Sequence, residues 1–103
     1  MIFKRRFADL VARQIDLFET DNADLITECA AAEAAYDRAP RDEAEERYGD
    51  YLDLVESGTE ALADLRDAFA RTLAEDAVED YERTFNRAAT KRLPRFTRRI
   101  EET

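Results

Sequence analysis

The chain has 103 residues, of which 40% are charged, and a formal net charge of -9; it holds two glycines, two prolines, no tryptophan and no histidine. This composition excludes a collagen, a disulfide framework and a membrane-spanning bundle, and without histidine every mechanism that needs an imidazole is excluded as well. At 45% hydrophobic the chain has enough apolar content to fold, and its length fits one small domain or part of an assembly.

Met1 to Arg6 are followed by no apolar run, because Asp9, Arg13 and Asp16 interrupt each candidate. Neither a signal peptide nor a spanning helix is therefore expected. Cys29 is the single cysteine and has no internal disulfide partner, so the expected compartment is a reducing cytoplasm. Charge is segregated along the chain. Residues 1–13 carry +3, residues 14–82 carry -17 and residues 83–103 carry +5.

From Phe7 an apolar stripe runs through Val11, Ile15, Phe18, Asn22, Leu25, Cys29, Ala32 and Tyr36. Its alternating steps of four and three are a heptad seam. Asn22 is the one strongly polar member. It reads either as a register-setting core residue or as a break, with Thr20-Asp21-Asn22 capping a new helix. The register passes through unchanged, so the expectation is one helix over 4–37.

Pro40 forbids helix at Ala39 and suits the first turn of the next helix, where Asp42 and Glu43 meet the positive end of the dipole. The second stripe is Ala44, Tyr48, Tyr51, Val55, Gly58, Leu62, Leu65, Phe69 and Leu73, predicting a helix over 41–74. Gly49 and Gly58 lie inside it, each at a cost of about 1 kcal/mol relative to alanine. Asp76 and Glu79 resemble a capping pair for a third helix over 76–93, with the stripe Val78, Tyr81, Phe85, Ala88 and Leu93 and with Pro94 as its stop. Residues 1–94 thus read as one helical domain and 95–103 as a short basic tail containing Phe96 and Ile100.

Folded back at Ala39-Pro40, the two long stripes pair layer by layer: Tyr36 with Ala44, Ala32 with Tyr48, Cys29 with Tyr51, and Leu25 with Val55. Further from the turn, Phe18 meets Leu62, Ile15 meets Leu65 and Val11 meets Phe69, with Asn22 opposite Gly58. Large faces small near the turn, as complementary packing requires. The expected fold is all-α, a long antiparallel helical hairpin plus a shorter third helix. Each arm is about 50 Å long and the third helix about 25 Å, so the turn-proximal half lacks a covering element. That half presents Leu25, Ile26, Cys29, Tyr36, Tyr48, Tyr51, Leu52, Leu54 and Val55 as an interface, and a second copy is the simplest cover. A homodimer or larger homo-oligomer is expected.

Other constellations are less specific. Asp21, Asp24, Glu28, Asp50 and Asp53 could form a carboxylate-only site for a divalent metal, though the same residues read as a solvated acidic face. Cys29 lacks an adjacent base and reads as a packed thiol. The basic stretch Arg83, Arg87, Lys91, Arg92, Arg95 and Arg98 could touch nucleic acid or a membrane surface. Net acidity opposes that reading, and compensation by Asp16, Glu19, Glu60 and Asp64 is expected instead, with Lys4, Arg5 and Arg6 facing Glu75, Asp76 and Glu79. The tail over 95–103 is the expected docking segment for a protein partner. No catalytic set and no cofactor motif is present in the sequence, so the expected function is non-enzymatic: self-association and protein–protein interaction.

Overall fold

The computed structural model describes residues 6–98, and these form an all-helical fold with no strand among them. The helices are α1 (Ala8–Asp21), α2 (Ala23–Arg38), α3 (Ala44–Ala70) and α4 (Glu75–Arg92), followed by a 3-10 turn over Pro94–Phe96. The molecule measures 53 × 23 × 22 Å. Lys4, Arg5 and the tail beyond Arg98, Ile100 included, lie outside the described residues.

The single helix expected over 4–37 is divided at Asn22, whose φ of -114° and ψ of 26° leave the helical region. The hydrogen-bond ladder crosses the division: Asn22 N–H donates to the Phe18 carbonyl at 2.9 Å, and Ile26 N–H to the Asn22 carbonyl at 3.0 Å. The Asn22 side-chain amide also donates to the Phe18 carbonyl, at 3.0 Å. A polar side chain that bonds back onto the preceding turn in this way bends a helix. Asn22 is thus a bend and not a register-setting core residue.

The principal helix contact of α1 is α4. A cleft of about 380 Å³, lined by Leu17, Asn22, Ala61 and Leu65 among others, lies between α1 and α3. Val11, Ile15 and Phe18 share one core with Leu62, Leu65 and Phe69 of α3 and with residues of α4. There Ala77, Tyr81, Phe85, Ala89 and Leu93 are buried at intervals of four, while Val78 and Ala88 of the expected stripe are only partly buried. Alanines at 77 and 89 flank the aromatic pair Tyr81 and Phe85, whose rings are fully buried. Tyr81 meets Phe7 edge-on at 5.5 Å and Phe69 at 4.9 Å between ring centroids.

The helix ends also differ from expectation. The N-cap of α4 is Ala74 in place of Asp76, with no side-chain cap bond; Glu75 and Asp76 sit in its first turn and contribute through the dipole alone. Before α3, Pro40 accepts from Glu43 N–H at 2.9 Å in a turn, and regular helix begins at Ala44. After Ala70, Thr72 and Leu73 N–H groups bond to Phe69 and Ala70 carbonyls at 2.9 and 3.1 Å, a three-residue spacing that tightens and ends the helix.

Gly58 faces Phe96, whereas the sequence pairs it with Asn22. A methyl group built on Gly58 would fall 2.6 Å from Phe96 Cδ1. The same ring packs edge-on against Phe18 at 6.2 Å and is 2% exposed. The missing side chain at Gly58 is the seat of the Phe96 ring.

Candidate interaction surface

Among the described residues, α2 and α3 pack against each other more extensively than any other helix pair, on either side of the connection 39–43. The alanines of α2 near that connection allow close approach, and aromatic rings fill the tip: Tyr36 and Tyr48 stand 5.0 Å apart, Tyr48 and Tyr51 6.4 Å. The nine residues expected at an interface are not equivalent. Cys29 is fully buried and belongs to the core. Leu25, Ile26, Leu54 and Val55 are half-buried and packed on that core, and Tyr51 is half-buried beneath the C-terminal segment. Tyr36, Tyr48 and Leu52 remain exposed, at 37%, 43% and 43%.

The C-terminal segment accounts for part of this difference. Leu93, Phe96 and Thr97 are buried, and the Arg95 guanidinium donates to Glu33 at 2.9 Å and to the Tyr51 hydroxyl at 3.2 Å, lying 5.7 Å from the Tyr51 ring centroid. Burial alone would lower the Arg95 pKa, but the contacts with Tyr51 and Glu33 outweigh it and raise the value. Residues 95–97 of the expected docking tail are thus docked on their own α2 and α3. The sequence shows both Phe96 and Gly58, but Pro94 ends the helical period, so no spacing rule links them.

Burial also pushes the Cys29 thiol up, with Arg95 opposing; the sulfur is held as a thiol, which suits a packed residue and not a nucleophile. Arg92, at the end of α4, pairs with Asp16 at 2.7 Å and with Glu19, two of the α1 acids expected there. The hydrogen bond with Asp16 raises the Arg92 pKa. Beside the docked segment runs an open groove of about 1030 Å³. Tyr48, Leu52, Asp53 and Val55 of α3 line it together with Arg95 and Arg98 of the C-terminal segment.

Asp21, Asp24, Glu28, Asp50 and Asp53 are all exposed. Among the described residues of one chain no three acidic or cysteine side chains converge as a metal site would require. Asp50 lies 4.0 Å from Arg47, an ion pair within α3. No helix among the described residues is long and apolar enough to cross a membrane.

Comparison of the chain with protein-family models, with curated proteins and with solved structures finds no match. The surface must be read from its own chemistry.

Proposed function

We propose that this is a small non-enzymatic helical protein in which α2 and α3 act as an antiparallel hairpin, associating with a further copy and through that assembly binding other proteins. The observation that carries this reading is the pair Tyr48 and Leu52. They lie one turn apart on α3, are 43% exposed each and border the groove. Exposed large apolar and aromatic side chains are enriched at interfaces and supply many of their anchors. The one cysteine fits binding over catalysis, since Cys29 is sealed in the core as a thiol.

Native mass spectrometry tests the proposal. The wild-type chain should appear as a dimer or larger species, and Leu52→Arg should appear as an 11.9 kDa monomer with unchanged helical circular dichroism. Leu52 is exposed in the single chain, so the substitution burdens the association and leaves the fold intact. A wild-type monomer at tens of micromolar, or an oligomer that Leu52→Arg leaves unaltered, contradicts the proposal.

A further inference from the structure

The segment that follows α4 is fastened to the molecule by side chains. Leu93 leaves the helix at φ -132° and ψ 55°. From there the backbone hydrogen bonds run only to α4 or within the segment: Leu93 N–H donates to the Ala89 carbonyl at 2.7 Å, Phe96 N–H to Leu93 at 3.0 Å and Thr97 N–H to Pro94 at 3.3 Å. Among the described residues none joins the segment to α1, α2 or α3. The aromatic and polar contacts that hold it there are the Phe96 ring over Gly58 and against Phe18, and the Arg95 guanidinium on Glu33 and on the Tyr51 hydroxyl.

Cys29 lies one helical turn before Glu33 on α2, and Tyr51, Val55 and Gly58 follow one another on α3 at steps of four and three, which put them on one face. Arg95 bridges Glu33 and Tyr51 while Phe96 sits on Gly58, so the segment spans the level of the fully buried Cys29. Arg95 also acts electrostatically on the thiol, which places the two close together. Lifting the segment re-exposes the Phe96 ring but breaks no backbone bond to the helices beneath, whereas opening any of the four helices breaks many. Openings of the first kind lie at the low-energy end of the motions of a folded protein.

We infer that residues 94–97 are a latch over Cys29, which detaches from α2 and α3 as a unit while the four helices stay folded. The chain thus alternates between a closed face and an open one that presents Cys29 together with Ile26, Tyr51 and Val55. The latch does not depend on the self-association proposed above, and its test is separate.

Cys29 is the single cysteine, so the full chain carries its own probe. Alkylation of the native wild type by iodoacetamide, followed by mass at increasing urea, should depend on urea far more weakly than global unfolding does, because the opening exposes little surface. Arg95→Ala removes both polar contacts of the latch and should speed alkylation about tenfold. Tyr81→Phe weakens the core elsewhere, where the ring and hydroxyl meet Phe7, Phe69, Phe85 and Gln14, and should leave the rate at low urea within about twofold of wild type. Circular dichroism checks that each variant is folded, and the urea dependence of the wild type needs no variant at all. A wild-type rate that climbs with urea as steeply as unfolding, an Arg95→Ala rate no faster than wild type, or equal acceleration by both variants overturns the latch. Each of these results would mean that the helices themselves seal Cys29.

Discussion

Gly58→Ala should destabilise the protein by about 1–3 kcal/mol, although alanine is the better helix former by about 1 kcal/mol. The added methyl would press on the Phe96 ring at 2.6 Å from Cδ1, and that ring, 2% exposed and packed on Phe18, has nowhere to retreat without leaving the core. Phe96→Ala should cost more, about 3–5 kcal/mol, because it empties the site and removes the anchor that seats Arg95 against Glu33 and Tyr51. The two effects are coupled in sign. In the Phe96→Ala background the obstacle is gone, so Gly58→Ala should raise stability by about 1 kcal/mol. Urea unfolding of the four proteins measures this coupling directly. A stabilising Gly58→Ala in the wild-type background would show that Phe96 is not seated there in solution. Set against a typical domain stability of about 5–15 kcal/mol, the Phe96→Ala loss is large enough to read without ambiguity.

That pair of residues also marks where the sequence becomes illegible. Helical content, the connection at Pro40 and most core positions of α1 follow from periodicity, because a heptad seam needs only local geometry to be recognised. Val11, Ile15 and Phe18 are read in this way and are buried. Asn22 is harder. Its place in the seam fits a continuous helix, and only its side-chain bond to the Phe18 carbonyl reveals the bend. That α1 makes its principal helix contact with α4 is a non-local matter that no stripe encodes. The nine residues expected at an interface differ in exposure. Tyr36, Tyr48 and Leu52 are exposed as a surface requires, whereas Cys29 is fully buried and Tyr51 half-buried. Arg95 and Phe96 reach back onto α2 and α3 from beyond Pro94, where helical spacing no longer constrains position.

Tyr81 should give the second large effect, and a distinctive one in alkali. Tyr81→Ala should cost about 3–5 kcal/mol, since its fully buried ring joins Phe7, Phe69 and Phe85. Tyr81→Phe keeps the ring and loses only the hydroxyl, which donates to Gln14 Oε1 at 2.8 Å; at neutral pH this should cost about 1 kcal/mol. Burial pushes the Tyr81 phenol up from 10.0 to about 12, against smaller lowering contributions from Gln14 and Arg66. Between those values the unfolded chain releases the proton while the folded chain retains it. The unfolded state then binds fewer protons, and stability falls as pH rises. A shift of this size corresponds to about 2–3 kcal/mol lost across that window, none of which Tyr81→Phe can lose. Cys29, whose thiol is also raised by burial, titrates in both proteins and drops out of their difference. The wild type should therefore be the more stable protein at pH 7, the two should cross near about pH 11, and the phenylalanine variant should lead above it. Chemical denaturation at several pH values from neutral to strongly alkaline tests this. Parallel curves would mean that Tyr81 ionises as readily folded as unfolded, which a ring sealed between α1, α3 and α4 cannot do.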